Sequence, residues 1–81
     1  MTIYYFDLRD EDALFPDEEG LDFESILAAQ EEAAKSLADM ARDAVHGSQN
    51  PASIRRMAIE VRDKAGPVMQ VRFNFEIERM Q

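Results

Sequence analysis

Residues 68–78 read Val68-Met69-Gln70-Val71-Arg72-Phe73-Asn74-Phe75-Glu76-Ile77-Glu78. From Met69 onward the alternation is unbroken. Met69, Val71, Phe73, Phe75 and Ile77 fall on one side; Gln70, Arg72, Asn74, Glu76 and Glu78 fall on the other. A period of two sustained over that length specifies a β-strand with one dry and one wet face. Apolar segments elsewhere in the chain must be placed against the dry face.

The segment just before it repeats the pattern. In Arg55 to Asp63, Met57, Ile59 and Val61 alternate with Arg56, Ala58, Glu60 and Arg62, and Lys64-Ala65-Gly66-Pro67 supplies a turn. Parity restricts how this hairpin pairs, because the dry faces coincide only when an odd-numbered residue meets an odd-numbered one. Val61 opposite Met69 satisfies the rule, setting Ile59 against Val71 and Met57 against Phe73. The shorter strand then runs out, and Phe75 and Ile77 need cover from a helix, the first strand or another subunit.

Ser25 to Val45 reads as that helix: alanine, glutamate and leucine dominate, and neither glycine nor proline interrupts them. Ser25 is the expected N-cap, with Asp22 the alternative, and Gly47 the expected stop. Ile26, Ala29, Ala33, Leu37, Met40 and Ala44 form the apolar stripe. So much alanine lets the helix sit close to a sheet. Beyond it, Ser48 to Ser53 is a polar loop in which Asn50-Pro51 could start a helical turn.

Ile3 to Arg9 is the first strand, with Tyr4, Phe6 and Leu8 inward and Ile3, Tyr5, Asp7 and Arg9 outward. Its partly apolar outward face suits an interior strand. Asp10 to Asp22 is a connection containing a weak, short edge strand, with turn chemistry at Pro16-Asp17-Glu18-Glu19-Gly20. Leu14, Phe15, Leu21 and Phe23 are expected to anchor it to the core. The reading is a single α+β domain over residues 1–81, β-β-α-β-β, with one mainly antiparallel sheet and one long helix on one face. Whether the first strand neighbours the third or the fourth stays open.

Composition narrows the function. A chain of 81 residues buries only about 60–65% of its unfolded surface, so a second copy would relieve a small core. The absence of cysteine excludes disulfides and thiolate metal sites. No apolar run approaches a membrane span, and the N-terminus lacks the basic start of a secretory signal, so a cytoplasmic location is expected. Nine basic against seventeen acidic residues give a net charge of −8, a field that disfavours nucleic acid and anionic lipid.

The candidate chemistry is sparse. The acidic run from Asp7 to Glu24 fails as a calcium loop, because Asp10-Glu11-Asp12 is followed by Ala-Leu-Phe-Pro. It reads as a solvated segment before a helix N-terminus. His46 is the lone histidine; without a nucleophile or further ligands in reach it reads as a helix-end residue. No catalytic residue, metal ligand or cofactor site is assigned. The wet face, with an expected Glu60–Arg72 ion pair, and the open edge of the last strand are the candidate interaction surface, represented by Tyr5, Arg62, Arg72, Asn74 and Glu76.

Tyr-Tyr-Phe-Asp-Leu-Arg-Asp from Tyr4, Pro-Asp-Glu-Glu-Gly from Pro16, the alanine-rich helix and Val-Arg-Asp-x-x-Gly-Pro-Val from Val61 together resemble a family of small bacterial proteins catalogued as a domain of unknown function. The resemblance covers Ile3 to about Glu78. It implies a stand-alone bacterial protein and brings no catalytic residues. A looser similarity is to HicB-type antitoxins, which also cross a sheet with a helix after an acidic turn ending in glycine. The expected function is therefore a non-catalytic, self-associating interaction domain with an unknown protein partner, or else an antitoxin-like or regulatory protein that covers a basic partner.

Overall fold

The computed structural model describes residues 1–46, 52–78 and 80. In chain order the elements are β1 (Thr2–Asp10), β2 (Ala13–Phe15), β3 (Leu21–Phe23), α1 (Ile26–His46), β4 (Ala52–Asp63) and β5 (Gly66–Glu78). The sheet is antiparallel throughout, in the order β2-β1-β4-β5, with β3 on the same outer edge of β1 as β2. This is the expected α+β architecture with one more strand. The single weak strand of residues 10–22 is two strands of three residues each, interrupted by the Pro16 turn.

The β4–β5 hairpin pairs as parity requires, with Val61 opposite Met69, Ile59 opposite Val71 and Met57 opposite Phe73. A bulge follows Val61, so that Arg62 faces Pro67 and Asp63 faces Gly66. Both Val68 and Met69 pack against the core as a result. The carboxylate of Asp63 accepts from the N–H groups of Ala65 (2.8 Å) and Gly66 (3.2 Å), closing the tip. At the other end β4 does not run out at Arg55: the ladder continues to Ala52 opposite Glu78.

β1 is an interior strand and lies beside β4, which settles the neighbour left open by the sequence. It reaches only to Asp10 opposite Met57. Past that point β4 and β5 continue as a two-stranded arm, and the molecule is 52 Å long.

The core lies between the sheet and α1, which packs on β4 and β5 and touches β3. Ala29, Ala33 and Leu37 are buried against Tyr4, Met57, Ile59 and Val61. Met40 and Ala44 are half-buried, Ile26 stands in solvent, and Ala41, which lies outside the expected stripe, is buried. Phe23 closes the far side, 5.6 Å from Phe6 and 6.3 Å from Tyr4 between ring centroids. Ser25 is the N-cap: its Oγ accepts from Ala28 N–H at 3.1 Å. The expected stop at Gly47 and the turn at Asn50-Pro51 lie outside the described residues. No helix among those residues is long and apolar enough to cross a membrane.

Candidate functional site

The sheet has two edges and one helix-free face, and these hold the residues expected to interact. On the helix-free face, charged side chains interlock in rows. Arg62 donates from Nε to Asp7 Oδ2 (2.8 Å) and from Nη2 to the carbonyl of Asp17 (2.9 Å), while its guanidinium lies 4.5 Å from the Tyr5 ring centroid. That donation to Asp7 raises the Arg62 pKa above its ordinary value. Glu60 accepts from Arg9 Nε at 2.7 Å and from Gln70 Nε2 at 3.3 Å. The Glu60–Arg72 pair expected from the sequence is thus replaced by Glu60–Arg9. Ala58 stands in register between Arg9 and Arg72 and is buried there, its small side chain leaving Arg9 free to reach Glu60.

Asp7 and Asp17, which the sequence did not single out, hold the outer edge of β1. Residues opposite β2 and β3 leave a gap in the ladder between Leu8 and Tyr4. Asp17 fills it: Oδ2 accepts from Phe6 N–H at 3.1 Å, and Oδ1 accepts from Glu19 N–H (3.0 Å) and Gly20 N–H (3.2 Å). Asp17 N–H in turn donates to Asp7 Oδ1 at 2.8 Å. A side-chain carboxylate therefore takes the place of a strand carbonyl. Burial pushes the Asp17 carboxyl up, but the three N–H groups and the charge of Arg62 outweigh it and hold the carboxyl below the ordinary aspartate range. Gly20 adopts φ +73°, and a Cβ there would sit 2.7 Å from Ile3 Cγ2.

Glu11 closes the end of β1 in the same manner. It takes a positive φ of 55°, its N–H donates to the Arg56 carbonyl (2.9 Å), and its Oε1 accepts from Arg56 N–H (2.9 Å). Asp10 pairs bidentately with Arg55 at 2.8 and 3.1 Å. Much of the acidic run is thus spent on internal bonds, and Asp12, Glu18, Glu19, Asp22 and Glu24 remain outward. Leu14, Phe15 and Leu21, expected in the core, are 46%, 57% and 55% exposed at this edge, because α1 lies over β4 and β5 and stops short of β2.

The outer edge of β5 is different. No strand among the described residues pairs with it. Arg72, Asn74 and Glu76 are exposed along it, two strands away from Tyr5, so the five predicted residues divide into two groups. Tyr5 and Arg62 belong to the network that fastens the β1 edge; Arg72, Asn74 and Glu76 flank the free edge. On the dry face Phe73 and Phe75 stack at 6.2 Å, and Phe75 and Ile77 are half-buried on the arm, beyond the end of β1. Among the described residues no three His, Cys, Asp or Glu side chains converge as metal ligands.

The profile of a family described as Domain of unknown function (DUF6894) matches residues 3–74, from β1 to the middle of β5. The chain belongs to that family. The resemblance carried by the Tyr4, Pro16 and Val61 segments points the same way. Comparison with curated proteins and with solved structures gives no match.

Proposed function

We propose that this chain is an acidic protein-interaction domain that works by strand addition at the outer edge of β5, and that the occupant is a second copy of itself. The observation that carries this reading is the unequal treatment of the two edges. At β1 the chain covers its outer edge with β2, β3 and the Asp17 carboxylate, and it caps the exposed rung of β4 with Glu11. At β5, a strand of 13 residues, the described residues supply no such cover. A long edge with half-buried aromatics invites pairing unless it is blunted.

Proline tests this without disturbing the dry face. The Arg56 N–H and C=O are turned to Glu11, so Arg56 and Asn74 form a non-hydrogen-bonded pair, and the Asn74 N–H points outward. Asn74→Pro therefore removes a donor that the monomer does not use. Light scattering of the wild type at two concentrations should give a mass rising to twice 9.3 kDa. The Asn74→Pro variant should stay at single mass with its far-ultraviolet circular dichroism retained. A wild type still monomeric at ~1 mM, a weakness beyond the range of specific association, refutes the proposal.

A second reading has its own observation. Leu14, Phe15 and Leu21 are exposed among Asp12, Glu18, Glu19, Asp22 and Glu24, a frame suited to a basic partner such as the antitoxin-like alternative requires. It predicts a basic protein that is retained at low salt, released at high salt, and lost on Phe15→Ser while self-association persists.

A further inference from the structure

The edge of β5 also specifies how two copies would meet, an inference that rests on the self-association reading above. Four constraints act together. The bulge at Val68 and the imino nitrogen of Pro67 spoil the start of the strand, so the regular portion is Met69 to Glu78. The backbone phase follows from Arg56, whose N–H and C=O face Glu11; Gln70, Arg72, Asn74, Glu76 and Glu78 therefore turn their own N–H and C=O outward. The opposite side of the sheet agrees: Phe6 N–H points to the outer edge of β1, which leaves Tyr5, Asp7 and Arg9 to bond β4. Dry faces must coincide, so even residues meet even and odd meet odd.

A two-fold pairing that uses nine of the ten residues of the regular portion, the most that parity allows, must be centred on Phe73 or Asn74. Charge separates the two. Centred on Phe73, Arg72 faces Asn74 and Glu76 faces Gln70. Centred on Asn74, Arg72 faces Glu76 of the other copy, twice. Centring on Arg72 or Glu76 would oppose like charges, and centring on Phe75 would shorten the ladder to residues 72–78.

We infer that two copies pair antiparallel through β5 about a two-fold axis at Asn74, with reciprocal Arg72–Glu76 ion pairs. Gln70 then faces Glu78, Val71 faces Ile77 and Phe73 faces Phe75, over about ten backbone hydrogen bonds. The stacked Phe73–Phe75 pair of each copy lies beside that of the other, making a two-by-two block of four rings. Phe75 and Ile77, which lie on the arm beyond β1, come to rest beside Phe73 and Val71 of the other copy, where the sheet is packed against the core. Both helices lie on one face of a continuous sheet. Each covers β4 and β5, so at ~4.8 Å per strand their axes are about 10 Å apart, the spacing of packed helices.

Charge reversal tests the register with the full chain. Arg72→Glu creates two Glu–Glu oppositions in its homodimer, and Glu76→Arg creates two Arg–Arg oppositions. Each alone should dimerise at least roughly tenfold more weakly than the wild type. Mixed one to one, they should recover wild-type association, because both cross-axis pairs of the mixed dimer again unite a glutamate with an arginine. The double variant Arg72→Glu/Glu76→Arg should also dimerise by itself. Recovery on mixing shows that both variants are folded. If the wild type dimerises but the single variants dimerise equally well, or the mixture stays monomeric, the register is overturned while self-association stands. If the wild type is monomeric at ~1 mM, both fall.

Discussion

Gly20→Ala should be among the costliest single-atom additions in this chain. Gly20 holds φ +73° at the end of the Asp17 turn, a left-handed conformation that costs a residue with a Cβ about 1–2 kcal/mol. The added carbon would meet Ile3 Cγ2 at 2.7 Å, Tyr5 Cε1 at 3.0 Å and the Tyr4 carbonyl at 3.1 Å. Ile3 is 45% exposed and can turn away, at about 0.5–1.5 kcal/mol for an off-rotamer side chain. The Tyr4 carbonyl belongs to the rung that pairs with Leu21 and yields little. The sum is roughly 1.5–3.5 kcal/mol, or roughly 6–28 °C in Tm for a chain of this size. Urea denaturation of the wild type, Gly20→Ala, Ile3→Ala and the double variant forms a cycle. Ile3→Ala removes Cγ2, so the double variant should be about 1 kcal/mol more stable than the two single losses predict. Gly66→Ala is the control: φ is +133° with nothing near its Cβ, so it carries backbone strain alone and no coupling to Ile3. A Gly20→Ala loss below ~1 kcal/mol, or additivity with Ile3→Ala, would refute the close approach of this turn to β1.

Other perturbations read different parts of the fold. The Asp17 carboxyl titrates below its ordinary value when folded, so its contribution is complete above the unfolded aspartate pKa near ~4 and is lost as pH falls through the folded value. Between about pH 5 and about pH 3 the urea midpoint of the wild type should therefore drop further than that of Asp17→Asn. Val61 is 1% exposed, and Val61→Ala should cost about 1.5–3 kcal/mol, whereas Leu14→Ala, at a 46% exposed position, should stay within ~0.5 kcal/mol in the same titration. Ser25→Ala removes the acceptor for Ala28 N–H and should cost about 1 kcal/mol, visible as lost helical circular dichroism on heating.

What the residues made legible was the side on which each one lies. Alternation in 57–61 and 69–77 set the dry face and, through parity, the pairing of Val61 with Met69. Lateral position was not legible. Phe15 and Leu21 sit opposite Leu8 and Tyr4, on the dry side as their chemistry demands, yet at an edge that α1 does not reach. Ile26 belongs to the helical repeat but precedes Ala29 by three residues, roughly 60° around the axis and in the first turn. The Asp7–Asp17–Arg62 network was hidden for another reason. Its members are separated by ten and forty-five residues, and an aspartate in a Pro-Asp-Glu-Glu-Gly turn looks like any solvated acid until the gap between β2 and β3 is seen.

Parity works within the hairpin because one face of each strand is wet, so a slip of one residue would expose five apolar side chains, Met69 to Ile77, at once. In the proposed pairing of two copies the same penalty would apply, with one addition. Inside the hairpin the turn chooses among the registers that parity permits; between copies there is no turn. Backbone phase reduces the choices by turning only the even residues of β5 outward, and charge must then decide among them. Arg72 and Glu76 lie two residues either side of Asn74, so the alignment that unites them is also the one that uses the strand from Gln70 to Glu78. An edge guarded against pairing would carry charges of one sign, or charges whose symmetric alignment opposes like to like. Opposite charges placed evenly about one residue oppose like to like in the registers centred on either charge and unite opposites in the register centred between them, which is how a strand of the proposed kind would select a partner.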